Sequence, residues 1–173
     1  IGNRSSGKMG IAIAHAAAQA GAQVTLITGQ VSVPLPQDPN IHQVSTLTTE
    51  EMLQAVQEAF KSADALVMAA AVADYRPVKV AEQKVKKSHD HELRTLELTE
   101  TVDILRTVAA TKRTDQLVVG FAAETEKLLD HAQEKLASKH ADMIVANSVA
   151  GATGAFGRDD DQVTILQKGA APE

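Results

Sequence analysis

Residues 1–28, IGNRSSGKMGIAIAHAAAQAGAQVTLIT, decide the fold. Two serines and a glycine lead into an Ala-rich run, Gly10 to Ala20, with the apolar spacing of a helix. Gly21 is a natural stop for that helix, and Gln23 to Thr28 (QVTLIT) then reads as a strand. A short polar turn that opens a helix offers free N–H groups and the positive end of the helix dipole, which suits a phosphate. Ser5 or Ser6 acting only as a helix cap would leave the same string, so anion binding and plain capping both stay open at this point. The stretch lacks the GxxxxGK[ST] spacing of a Walker A loop.

Helices and short apolar strands continue to alternate beyond this unit. Residues 29–40 hold three prolines and read as a loop. Thr48 or Thr49 can cap a helix through Met52, Leu53, Val56 and Phe60. Strands are expected at Asp64–Ala70, Leu117–Phe121, Asp142–Ala146 and Gln162–Gln167, and a helix capped by Thr125 at 125–139. Such alternation implies an α/β domain, Rossmann-like and three-layered, with a mostly parallel sheet. Arg76 to Glu100 breaks the pattern. It carries lysines at 79, 84, 86 and 87 and then the alternating LRTLEL (93–98), and reads as a basic flap excursion followed by a strand.

Composition narrows the function. The chain is 44% hydrophobic but only 2% aromatic, so its core is aliphatic. A net charge of −5 opposes general nucleic-acid binding, which needs a basic surface. With no cysteine, the chain has no disulfide, thiolate nucleophile or Cys-based zinc site. No apolar stretch is long enough to span a bilayer and no signal peptide is visible, so a cytoplasmic location with no membrane partner is expected.

Ligands of open parallel sheets sit at the carboxyl ends of the strands. Three such ends carry small or polar residues: Ala69–Asp74, Gly120–Thr125 and Ala146–Ser148. Asp74, just past a strand, is placed to hold Mg²⁺ on a triphosphate, or else to cap a turn. Lys135 and Lys139 lie four apart, on one helix face. Lys84, Lys86 and Lys87 form a run that either closes over a polyphosphate or is simply solvated. Tyr75 and Lys79 have the Y-x-x-x-K spacing of short-chain dehydrogenases, but Pro77 between them opposes the helix that family needs. His89 and His91 flank Asp90 in a polar stretch and lack zinc-site character.

Five strings taken together resemble bacterial phosphopantothenoylcysteine synthetase, the CTP-dependent phosphopantothenate–cysteine ligase: NRSSGKMG (3–10), AAVADYRP (70–77), EQKVKK (82–87), VGFAAET (119–125) and IVAN (144–147). The resemblance implies a homodimeric, Rossmann-like enzyme of coenzyme A biosynthesis. Its substrates would be 4′-phosphopantothenate, L-cysteine and CTP, with Mg²⁺, and its intermediate an acyl-cytidylate. By resemblance Asn3 and Lys84 are catalytic. Asn3 and Ala70 hold the pantothenate part. Ser5, Ser6, Asp74, Lys84, Val102, Asp103, Ile104, Leu105, Phe121, Lys135 and Lys139 bind CTP, and Asp74 is the metal-side residue. It also implies a Gly-rich strand before Asn3 and a helix after Gln167. The chain is therefore expected to be a single ligase domain over 1–173 lacking its first strand and last helix. A flavin-dependent decarboxylase domain would precede it in the full-length protein, so no FMN is expected here. An NAD(P)-dependent oxidoreductase and a non-catalytic nucleotide-sensing domain are the alternatives.

Overall fold

The computed structural model describes residues 5–81, 83, 95–124, 126–148 and 161–173. Helix α1 (Lys8–Gln19) starts where the serine–glycine turn ends. Gly7 is its N-cap in a left-handed conformation, φ 81°. A Cβ there would stand 2.5 Å from a Val31 methyl, so both backbone and space require glycine. At the other end Gly21, also at positive φ, closes the helix. The Gly21 amide donates to Ala18 and the Ala22 amide to Ala17, the pair of bonds that defines a Schellman ending. Ala14 and Ala18 bury one face of α1 against Leu26 and Ile41.

Leu26 belongs to β1 (Val24–Thr28) and Ile41 to β2 (Ile41–Ser45), which pair in parallel with Val24 opposite Ile41. Strand β2 was not expected from the sequence. Helix α2 (Thr49–Phe60) begins with a capping box in which Thr48 and Glu51 satisfy each other's amides. That settles Thr48, not Thr49, as the cap. Met52, Val56 and Phe60, four apart, form its buried stripe.

The larger sheet has the order β3 (Ala65–Met68), β6 (Leu117–Glu124), β7 (Met143–Ser148), β8 (Val163–Gln167). Strands β3, β6 and β7 are parallel, and helices α3 (Ile104–Ala109) and α4 (Leu128–Ser138) lie in the crossovers between them. Strand β8 pairs antiparallel to β7, so the sheet is mixed at its edge rather than parallel throughout. A third ladder, β4 (Tyr75–Pro77) with β5 (Leu98–Glu100), is a short antiparallel arm. Tyr75 and Pro77 are thus strand residues, which removes the helical Tyr–Lys pair of a short-chain dehydrogenase.

Among the described residues no ladder joins β1 to β3, so the expected single sheet is divided into separate ladders. They still share one core. Ile27 of β1 packs on the cluster that contains Met52, Val108, Val118, Ala122, Ile144 and Leu166. Val118, Ala122, Ile144 and Ala146 are fully covered and alternate with partly exposed neighbours, so one face of β6 and β7 is buried in the core. Helix α4 also differs from expectation. It begins at Leu128 behind Lys127, a left-handed N-cap with no side-chain bond. Thr125, the expected cap, lies outside the described residues, as do Asn3 and, in the flap, residues 82 and 84–94, which include Lys84, His89 and His91. No described helix is long and apolar enough to cross a membrane.

Candidate functional site

The cavity of interest has a volume of about 410 Å³ and opens where β3 and β6 end. Its walls come from three stretches and α4: 68–75 after β3, 100–106 before and within α3, Phe121 on β6, and Lys135 and Lys139. The structure therefore brings together Ala70, Asp74, Val102, Asp103, Ile104, Leu105, Phe121, Lys135 and Lys139, which sequence reading named from separate segments.

Local chemistry explains the assembly. Thr101 fastens the two loops, its amide donating to the Asp74 carbonyl at 2.8 Å and its hydroxyl to the Ala73 carbonyl. The β4–β5 arm continues that seam, with Tyr75 opposite Glu100. Asp103 is the N-cap of α3, its carboxylate accepting from the Arg106 amide at 2.9 Å. Ile104 and Leu105 point into the core, only 3% and 7% exposed, so they can offer the cavity little but backbone. Gly120 makes room for this packing. A Cβ on it would come within 2.7 Å of Leu105 and 2.9 Å of Ile144.

The charges are arranged unevenly. Lys139 pairs with Asp103, and both are about one-third exposed. Burial pushes the Asp103 carboxyl up, but the Arg106 amide and Lys139 outweigh it and hold its pKa below the ordinary range. The Lys135 ammonium makes no hydrogen bond or ion pair with any described residue. Burial lowers its pKa; Glu124 opposes that, the Lys139 charge adds to it, and Asp103 and Asp74 oppose it. A partly buried ammonium with no fixed partner is costly unless an anion comes to meet it. Glu124 itself is held by His131, 3.0 Å away.

Ser5 and Ser6 do not line this cavity. Their hydroxyls accept from the Gly7 and Lys8 amides, which is capping of the turn. Further along α1, a Cβ on Gly10 would stand 3.7 Å from that of Ala69, the neighbour of Ala70 on the cavity wall. Among the described residues no group of three His, Asp or Glu side chains is gathered for a metal. Asp74 and Glu100 on the cavity wall fit instead a cation that brings most of its ligands on a polyphosphate. Thr101, Glu100 and Arg106 were not singled out in the sequence. The D-I-L-R start of α3, an acidic cap before an apolar run, was the available signal.

Parallel strands with crossover helices and a charged cavity at their carboxyl edge define a Rossmann-like α/β ligand-binding domain. The particular family follows from comparison. The chain matches, over residues 1–173, the DNA/pantothenate metabolism flavoprotein C-terminal domain, and it belongs to that family. It is 44% identical over 168 residues to the coenzyme A biosynthesis bifunctional protein CoaBC of Vibrio cholerae, covering 97% of this chain and 42% of that protein. Its similarity to the Escherichia coli protein of the same name is also 44%, covering 96% of this chain and 41% of that one. The chain thus spans less than half the length of these relatives. Among solved structures, the C-terminal domain of CoaBC superposes with a TM-score of 0.77 at 36% identity, covering 99% of this chain and 74% of that one.

Proposed function

We propose that the chain is the ligase domain of a coenzyme A biosynthesis protein, joining 4′-phosphopantothenate to L-cysteine at the expense of CTP. One observation carries the reading. Nine positions that the resemblance assigns to nucleotide or pantothenate, drawn from segments far apart in sequence, line a single cavity.

The chemistry fits the charges. The pantothenate carboxylate attacks the α-phosphorus of CTP, and pyrophosphate leaves. The cysteine amine then attacks the acyl carbon of the acyl-cytidylate, CMP leaves, and the amine proton is lost. Both reactants in the first step are anions, so cations must screen their approach. Lys135 and Lys139 supply fixed positive charge on one wall, and Lys84 is the cation on the flap side. Asn3, a neutral amide, holds the carboxylate without repelling it. Ala70 leaves room for the acyl group. Backbone groups of Val102, Asp103, Ile104 and Leu105 read the cytosine edge, with Phe121 beside the nucleotide. Ser5 and Ser6, outside the cavity wall, would shape the α1 turn by their capping bonds rather than line the nucleotide cavity. Mg²⁺, carried by the triphosphate and held by Asp74, would neutralise charge on the leaving pyrophosphate. The relatives are called bifunctional and this chain covers 41–42% of their length, which supports a second domain in the full-length protein; we read that domain as a flavin-dependent decarboxylase and the working assembly as a cytoplasmic homodimer.

The test is to incubate full-length protein with CTP, Mg²⁺ and phosphopantothenate, first without cysteine and then with it. Stoichiometric pyrophosphate and a trapped cytidylate are expected first, and turnover after cysteine is added. Absence of CTP turnover in the complete mixture would sink the proposal. Hydride transfer to NAD(P)⁺ would favour an oxidoreductase, and CTP binding without chemistry a sensing domain.

A further inference from the structure

Lys139 occupies the C-cap of α4, where a four-carbon side chain has many rotamers and no helical turn beyond it to lean on. Yet its ammonium is fixed. Among the described residues its only partner is the carboxylate of Asp103, 36 positions away in sequence. An ammonium has three donors, and this one uses a single bond to the protein, leaving the others for a ligand in the cavity that both residues line. Asp103 is itself fixed, because its other carboxylate oxygen accepts the Arg106 amide. The carboxylate also lies close enough to Lys135 to act on its charge, so it moderates the repulsion between the two lysines of one helix face.

We propose that Asp103 is a positioning residue whose carboxylate holds the Lys139 ammonium on the cavity wall, oriented for the phosphates of a nucleoside triphosphate. The proposal rests on the nucleotide reading above. Removing the anchor restores rotamer freedom to Lys139, and that freedom must be lost again when the nucleotide binds. Asp103→Asn is the informative substitution, since asparagine caps helices as well as aspartate and leaves α3 intact.

The experiment measures CTP affinity and steady-state constants in the full-length protein and in Asp103→Asn, Lys139→Met and the double variant, at fixed Mg²⁺. Asp103→Asn should raise KM for CTP about three- to ten-fold, with kcat changed by less than about two-fold. In the Lys139→Met background the same substitution should add little, because the residue it acts through is gone. Equal effects in both backgrounds, or unchanged or tighter CTP binding by Asp103→Asn alone, would overturn the positioning role while leaving the nucleotide site standing. Wild-type protein that neither binds nor turns over CTP would overturn both.

Discussion

Among the described residues two lysine–aspartate pairs of similar exposure stand out, and they do different work. Lys112 and Asp142 meet at 2.9 Å near the start of β6 and β7. Each is also tied to backbone: Lys112 Nζ donates to the Gln116 carbonyl, and the second Asp142 oxygen accepts the Val118 amide. The Asp142 amide and carbonyl bond to Val118 and Lys168, so this one residue binds β6, β7 and the turn after β8. Nearby, Gln116 donates to the carbonyls of Phe60 and Ala63 and fastens α2. Lys139 and Asp103, at the carboxyl edge, have no such second tie on the lysine side. The first pair is tied to the backbone at both of its ends. The second keeps bonding capacity for a guest, beside a Lys135 ammonium that no described residue bonds. The same two side chains thus lock the structure in one place and prepare a site in the other, according to what else they touch.

The largest expected effect falls on the backbone-tied pair. Asp142→Ala takes the Lys112 ammonium's counter-ion and the Val118 strand amide's acceptor, leaving Lys112 only the Gln116 carbonyl, and should cost about 2–3 kcal/mol of stability. Urea unfolding checks it, and CTP affinity of the folded fraction should be unchanged. Lys112→Met keeps the volume of the stem but strands the carboxylate, with about 1–2 kcal/mol expected by the same measurement. At the other pair, Asp103→Ala should cost about 1 kcal/mol by loss of the α3 cap, while Asp103→Asn should cost only a few tenths. If Asp103→Asn destabilises as much as Asp142→Ala, the two pairs are not different in kind.

The smallest effect is in pH. Because the folded pKa of Asp103 is depressed, its contribution to stability is fully present above the ordinary carboxylate value of about 3.9 and is lost as pH falls through the lower folded value. The stability gap between wild type and Asp103→Asn should therefore be constant near neutrality and shrink on acidification below about pH 4. A gap that widens in acid would reverse the sign of the shift.

The sequence disclosed the elements with strong periodicity and missed those whose signal is short or mixed. Strand β2 was hidden because only Ile41 is buried, and polar His42 and Gln43 follow it directly from a proline loop. Helix α3 spans six residues, too few for a helical period to declare itself, and its cap Asp103 was named only as a nucleotide position by resemblance. The antiparallel sense of β8 was not legible either, since alternation of apolar residues does not encode direction. Most of the cavity was legible through chemistry: small residues after β3, an acid at 74, and two lysines on one face of α4. The Asp103–Lys139 contact was not, because nothing local links residues separated by α3, β6 and α4.

The most direct measurement is a crystal structure of the full-length protein with CTP and Mg²⁺. The base should lie against Val102–Leu105 and Phe121, with the triphosphate in reach of Lys135, Lys139 and Asp74. Nucleotide bound instead in the outer cleft between α2 and α3, around Gln54, Gln57 and Arg113, with the cavity at the carboxyl edge empty at saturating CTP, would contradict the assignment.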